Sequence, residues 1–541
     1  MSARNLLTHP LWRGEELGQP MPESLHAISM ALPRWRDVVA YEEKDPEVAQ
    51  RLEVGYPRFV VHPLVKDLAS RIAGTAPCLP FPSSRCAERA CNYVRRRAGM
   101  AARVIPHGRV FGVVTNDQGF VALKEFWQHT GLIVSSRQAE NELSDPTSQG
   151  EEELIRASLR RQLAALYDCA EDDVFLAPTG MAAQDAALRV VNARRPGLPT
   201  AQLGFPYVDT LKLQQRIGHG GTLLHRLDTV EEDLKNLMRH QPLGACFSEI
   251  PGNPLLGSAD LRRISPLLRA AQVPLVCDDV VATPFNVDLS PYADLIATSL
   301  TKYVAGTADV MGGALICNPK SPLYSELKAL ACVQHEELLW IEDASVLERQ
   351  ARGFPERMRR HNENGLLIAE RLRAHPSVER VWYPKWEYAD VYEAVRRPQG
   401  GWSSLVTFLP REAERASPAI FDAMEICKGP SLGTIFSLAC PFTLLAHYTE
   451  LEWAEACGVS RHLIRISVGL EDPEDLWQRL SRALMAGRAS WPRALEACHA
   501  LPLTRQRPDK ADQYGTTPAG QQDRGPGFHG SLRPLLKPRI P

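Results

Sequence analysis

Residues 293–303 read ADLIATSLTKY, and residues 273–280, a little before them, read VPLVCDDV. Each is a nearly continuous apolar run that stops at polar side chains: Asp278 and Asp279 in one, Ser299, Thr301 and Lys302 in the other. A short strand buried on both faces has this pattern, whereas a half-buried strand alternates. A lone lysine is nearly always a solvated surface group. Here a buried run and two hydroxyls precede it, and Gly306, Gly312 and Gly313 follow, so Lys302 belongs at the end of an interior strand. A carboxylate in such a place must be paired or face a site, because an unpaired buried charge is costly. An N-cap or a surface salt bridge is the plainer alternative for Asp278.

Working outward, similar runs occupy 174–177, 202–205 and 244–247, with helical patterns at 182–191 and 261–271. Strands alternating with helices predict an α/β domain with a mostly parallel sheet. Ligands of such sheets bind beyond the carboxyl ends of the strands. At one strand end, FLAPTGMAAQDAAL (175–188) places Gly180 and Met181 between strand and helix, a turn whose backbone N–H groups can approach an anion. Many strand-to-helix turns contain glycine, so this feature alone is weak. Asn253 in FSEIPGNP (247–254) is by itself ordinary turn chemistry. Together, a lysine, a strand-end carboxylate and an anion-binding turn with hydroxyls are what pyridoxal 5′-phosphate requires. The lysine bonds the cofactor, the carboxylate keeps its pyridine nitrogen protonated, and the turn holds its phosphate.

Outside this core, residues 1–62 read as an N-terminal arm of short segments and prolines, with Trp12 and Trp35 as packing anchors. The large cofactor-binding domain is expected over 63–370, a smaller α/β domain over 371–487, and a Pro/Gly-rich disordered tail over 488–541. A polar loop is expected at 141–151, a helix at 152–167 and one long helix at 345–374. A net charge of −2 gives no electrostatic case for nucleic acid or an anionic membrane. The twelve cysteines lack zinc-type spacing and no metal is expected. With no secretory signal and no apolar run near the roughly 20 residues of a span, a cytoplasmic protein is expected.

The motifs as a set resemble the PLP-dependent enzymes of cysteine and methionine metabolism, and within them the fungal-type cystathionine gamma-synthases. The likeness runs from about residue 20 to about 485: GYPRF (55–59), FWQHTG and IVSSRQAE (126–140), PTGMAA, PYVDT (206–210), PGNPLLG, CDDVVATPFNVD, SLTKYVAGTADVMGG, RMRRHNEN, SLGTIFSLACPFTLLAHY and IRISVGLED. The resemblance implies fold type I, the aspartate aminotransferase-like architecture. It implies Lys302 as the imine-forming lysine and Asp278 as partner of the pyridine nitrogen. Gly180, Met181, Ser299 and Thr301 would be phosphate contacts, and Tyr207 the ring stacked on the cofactor, with a part in catalysis. Asn253 would lie near the cofactor's O3′. Arg465 and Ser431 would place the substrate carboxylate, a bidentate task suited to guanidinium. Tyr56 and Arg58 match a pair that reaches the phosphate of a neighbouring subunit, which implies a homodimer or homotetramer. In isolation, Tyr56 and Tyr207 would be read as core aromatics and Arg465 as a surface ion pair.

The implied reaction is γ-substitution on an O-acylhomoserine, with cysteine giving cystathionine. The same residues would serve another nucleophile such as a carbon acid, or a C–S lyase; a non-catalytic descendant is the remaining alternative. Two departures bear on this. The family's usual DNT is Asp278-Asp279-Val280 here, and Phe436-Ser437 stand where bacterial relatives carry Glu and a small residue, a position expected near the substrate.

Overall fold

The computed structural model describes residues 4–144 and 152–489. Three sheets organise them. The first, β1 (Cys78–Phe81), β2 (Arg103–His107) and β3 (Val110–Val114), is antiparallel in the order β1-β3-β2. The helices Ser84–Ala98 and Asp117–Thr130 lie beside it.

The second sheet carries the site. Its strands are β4 (Val174–Ala177), β5 (Thr200–Leu203), β6 (Gly221–Leu224), β7 (Cys246–Glu249), β8 (Leu275–Asp278), β9 (Leu295–Ser299) and β10 (Gly313–Cys317). They run in the order β4-β10-β9-β8-β7-β5-β6. β5 through β9 are parallel, and β10 is antiparallel to both β9 and β4. β8 and β9 are buried at every position except the last, as their apolar runs demand. The polar terminal residues Asp278 and Ser299 thus come out at the same edge of the sheet. The helix Gly180–Arg194 packs on β9 and β10, and its alanine-rich sequence permits the close approach.

The third sheet, β11 (Val378–Trp382), β12 (Leu405–Pro410), β13 (Cys427–Lys428), β14 (Leu438–Cys440) and β15 (Ile464–Ser467), has the order β11-β12-β15-β14-β13. Only β13–β14 is parallel in it.

Several expectations need correction. The single helix expected over 345–374 is two, Ile341–Arg352 and Phe354–Ala374, broken at Gly353. Pro355 lacks an N–H, and the second residue of a helix is where that lack costs nothing. The expected loop at 141–151 begins with the last turn of the helix Ser136–Leu143, and 145–151 lie outside the described residues. The tail lies outside them from 490 onward.

The arm, expected to contact another subunit, also packs on its own chain. Leu6, Leu11, Met21 and Ile28 join the core of the second sheet, and Leu17, Met30, Leu32 and Val38 join that of the third. Burial of those apolar side chains, each worth about 1.5–3 kcal/mol, holds the arm down. Trp35 does serve as an anchor, edge-on to Phe421 and stacked on His462. Among the described residues no helix is long and apolar enough to cross a membrane.

Candidate active site

A cavity of about 860 Å³ opens where β7, β8 and β9 end. Lys302 forms one wall. Its Nζ donates to Ser431 Oγ at 2.9 Å and to Tyr56 Oη at 3.2 Å, and lies 4.6 Å from the centre of the Tyr56 ring. Burial lowers the Lys302 pKa below the ordinary lysine value. The amine is therefore closer to its neutral, nucleophilic form than a surface lysine. Ser431 reaches it from a left-handed backbone conformation, φ +100°, of the strained kind that clusters at functional sites.

Asp278, at the end of β8, also lines the cavity. Its carboxylate accepts from Val280 N and from Gln184 Nε2, both at 2.8 Å. Burial, and the charge of Asp279, push its pKa up to about 7. Such a group gains from a cationic partner. Beside it on β7, Glu249 accepts the Tyr207 backbone N–H at 2.6 Å. Burial and the Asp278 charge push Glu249 up to about 8. Sequence reasoning missed both Gln184 and Glu249. Glu249 at least carried a signal, since it too is a carboxylate ending a buried strand.

Gly180 begins the helix Gly180–Arg194, with Thr179 Oγ1 capping Ala182 N at 3.0 Å. A Cβ on Gly180 would stand 2.5 Å from Ser299 Cβ, so only glycine fits. Gly180, Met181 and Ser299 all line the cavity at this helix start, where unpaired backbone N–H groups favour an anion. Thr301 does not line it. Its hydroxyl is buried in the turn after β9, donating to Gly312 O at 3.2 Å and accepting from Gly312 N at 3.1 Å. The turn's own backbone engages that hydroxyl, so of the two hydroxyl residues expected to contact a phosphate only Ser299 lines the cavity.

Arg465, on β15, faces the cavity from the third sheet. Nη2 donates to Ser431 O at 2.6 Å and Nη1 to Asn253 Oδ1 at 3.3 Å. Nε is buried without a hydrogen-bond partner among the described residues. A buried guanidinium with a free donor beside a reactive lysine is suited to a carboxylate ligand.

Tyr207 also lines the cavity, and Arg58 joins it to the arm. Arg58 Nη2 donates to Tyr207 Oη, and Nη1 donates to Asp209 Oδ2 at 2.5 Å and to Gln128 O at 3.0 Å. Tyr56 and Arg58, expected as a pair that reaches the phosphate of a neighbouring subunit, both line the cavity of the single chain. Their placement follows from the packing of the arm onto its own core.

Of the residues that depart from the family pattern, only Val280 faces the cavity. Asp279 accepts from Tyr167 Oη at 3.0 Å, whereas Val280 lines the cavity. Phe436 is buried in the core, and Ser437 Oγ donates to Glu471 Oε2 at 2.8 Å. Neither Phe436 nor Ser437 lines the cavity, which corrects the expectation of a position near the substrate.

The donor set suits pyridoxal phosphate. A buried lysine of lowered pKa can bond its aldehyde carbon, Asp278 can meet a protonated ring nitrogen, and the glycine-only helix start can take the phosphate.

Comparison with known proteins agrees. Residues 149–485 match the family described as Cys/Met metabolism PLP-dependent enzyme, and residues 60–135 match the fungal trans-sulfuration enzyme N-terminal domain. The chain is 32% identical to the cystathionine gamma-synthase of Neurospora crassa, over 87% of this chain and 98% of that protein. It is 34% identical to the cystathionine gamma-synthase-like protein ankD of Aspergillus thermomutatus, over 87% and 94%. Among solved structures, cystathionine gamma synthase from Xanthomonas oryzae pv. oryzae, in complex with aminoacrylate and cysteine, superposes with a TM-score of 0.56 at 28% identity. That match covers 62% of this chain and 87% of the other. With a lysine, a carboxylate and an anion cradle converging at the ends of a largely parallel sheet, and a family match over most of its length, the chain belongs to the PLP-dependent enzymes of cysteine and methionine metabolism.

Proposed function

We propose that this enzyme joins cysteine to an O-acylhomoserine to make cystathionine. In that reaction the donor's Cγ–O bond breaks, a carboxylate leaves, and a C–S bond forms to the cysteine sulfur with loss of the thiol proton. The carrying observation is the Arg465–Ser431–Lys302 chain, in which a guanidinium with one donor free is joined through a single serine to a reactive amine. The kinship with cystathionine gamma-synthases supports the same reading.

Arg465 binds the amino acid's α-carboxylate, and Asn253 steadies that guanidinium. Lys302 Nζ then faces the α-carbon; in its neutral form it accepts the Cα proton and returns protons along the chain. Ser431 Oγ and Tyr56 Oη, its two hydrogen-bond partners, keep it aimed. Tyr207 would lie beside the cofactor's ring, and Gly180, Met181 and Ser299 would hold its phosphate. Bound there, pyridoxal phosphate supplies an electron sink for charge developing at the deprotonated carbon, and Asp278 stabilises the cation of its ring. In this reading, 63–370 forms the cofactor-binding part, 371–487 carries the carboxylate clamp, and the setting is cytoplasmic. The reading includes a homodimer or homotetramer, on the strength of the kinship with the family.

The test is to incubate the cofactor-loaded protein with O-acetyl- or O-succinylhomoserine and cysteine. Cystathionine is expected by mass spectrometry. Release of ammonia and a 2-oxo acid regardless of added thiol would overturn the assignment in favour of a lyase. Coupling of a carbon acid but not of cysteine would move it to that nucleophile.

A further inference from the structure

Strand β15 sends two side chains, Arg465 and Ser467, to one turn. They are two residues apart and so lie on the same face of the strand. Arg465 Nη2 donates to the carbonyl of Ser431 at 2.6 Å. Ser467 Oγ accepts the N–H of Gly433, two residues further along the turn, at 2.7 Å. The Ser467 side chain is wholly buried, and it also faces the hydroxyl of Tyr303, the residue after Lys302. Neither the sequence motifs nor the reaction as described gives Ser467 a part.

The turn needs holding. Ser431 has φ +100° and Gly433 φ +72°, both in the left-handed region, and only the second is a glycine. Such a conformation persists where its surroundings over-determine it. The turn also rests directly on the lysine's own backbone. A Cβ on Gly433 would stand 2.7 Å from Tyr303 N and 3.0 Å from Lys302 C. At the far end of the turn Ile435 N donates to Gly306 O at 2.9 Å, in the loop that follows the lysine. Between that bond and Ser431, the Gly433 N–H ties the backbone to β15, and the Ser467 hydroxyl is its acceptor. Without that hydroxyl a buried N–H loses its partner, which the turn can relieve only by moving.

Both working contacts of the turn belong to Ser431. Its Oγ accepts from Lys302 Nζ and its carbonyl accepts from Arg465. A shift of this backbone therefore disturbs the aim of the amine and the seat of the guanidinium together.

We infer that Ser467 is a positioning residue for the reaction, whose hydroxyl holds the Ser431–Gly433 turn so that Ser431 meets Lys302 and Arg465 at once. The inference rests on Lys302 and Arg465 having the roles proposed above.

The test is a double-mutant cycle on Ser467 and Ser431. Capture of pyridoxal phosphate by the apoprotein is followed as the growth of visible absorbance, and kcat/KM for the O-acylhomoserine is measured on the loaded protein. Ser467→Ala should slow capture and lower kcat/KM, each about tenfold. Ser467→Thr, which keeps the acceptor, should recover both to within about threefold of wild type. Ser431→Ala should be impaired at least as strongly as Ser467→Ala. Adding Ser467→Ala to it should change neither rate by more than about twofold, because both act through one turn. Losses that multiply in the double variant would overturn the inference. So would a lowered melting temperature in Ser467→Ala with wild-type capture and kcat/KM, the mark of a serine that only stabilises the core. If Ser467→Ala does not fold, Ser467→Cys fills the same space with a weak acceptor and takes its place in the cycle. Lys302→Ala keeps the two assignments apart. Capture that persists in it sinks the role of the lysine, whereas lost capture beside a multiplicative cycle sinks only that of Ser467.

Discussion

Glu249 and Asp278 are cross-strand neighbours at the carboxyl ends of β7 and β8, two carboxyl groups side by side in the floor of the cavity. Like charges at that spacing do not both ionise in a buried site. Asp278 has the better support for its charge, from Val280 N and Gln184 Nε2, and burial with the Asp278 charge raises Glu249 to about 8.

From this arrangement Glu249 carries the proton at neutral pH and Asp278 the charge. Glu249→Gln mimics the protonated acid and keeps an acceptor for the Tyr207 N–H. Its kcat/KM should stay within about twofold of wild type, a few tenths of a kcal/mol. Asp278→Asn removes the anion itself and should cost roughly 10²–10⁴ in kcat, the range of a lost acid–base or charge-stabilising group. Steady-state rates of both variants check this; equal losses would refute the division of roles.

Lys302→Ala should abolish the visible absorbance of the bound cofactor and lower turnover by at least roughly 10²-fold. The amine donates to both Tyr56 and Ser431, so its loss also removes one hydrogen-bond partner from each hydroxyl. An absorption spectrum after dialysis against pyridoxal phosphate settles the outcome, and a persistent band would place the covalent bond elsewhere.

Much of this site was legible because buried strands cannot end in charge without reason. VPLVCDDV and ADLIATSLTK announced both Asp278 and Lys302, and both line the cavity. β6 and β10 went unseen: β6 is half-buried throughout, so its apolar contrast is weak, and β10 follows directly on the glycines after Lys302. Thr301 shows the limit of spacing arguments, since a hydroxyl one residue before the lysine was needed by the Gly312 backbone instead. The position of the arm was not legible either. Which core the apolar arm residues join depends on contacts remote in sequence, which no local pattern encodes. Ser467 was hidden for a related reason, because the N–H it accepts, on Gly433, is remote in sequence.

Arg465→Lys tests the clamp. Lysine keeps the charge but cannot supply the fork that reaches Ser431 O, Asn253 and a ligand together. A lost charged hydrogen bond is worth about 1.5–3 kcal/mol, so kcat/KM for the acylhomoserine should fall roughly 10- to 150-fold, mostly in KM. Cofactor absorbance should be unchanged. A normal KM would show that the carboxylate binds elsewhere.

His62 gives the protein a predictable weakness in acid. It caps the helix Pro63–Ala73, with Nδ1 accepting from Leu64 N at 3.3 Å and Nε2 3.0 Å from Leu25 O. One nitrogen must accept and the other donate, which only the neutral ring can do. Burial lowers its pKa from 6.5 to about 4. The unfolded chain therefore takes up a proton between pH 6.5 and 4 that the folded chain refuses. Stability falls as the pH drops through that window and levels off below it, by at most roughly 3 kcal/mol from this group. His62→Asn keeps a side-chain cap but cannot titrate. Its melting temperature should lie near or slightly below wild type at pH 7.5 and should fall less on acidification to pH 4.5. Parallel melting curves at the two pH values are the measurement, and an identical drop in both proteins would show that His62 is not the titrating group.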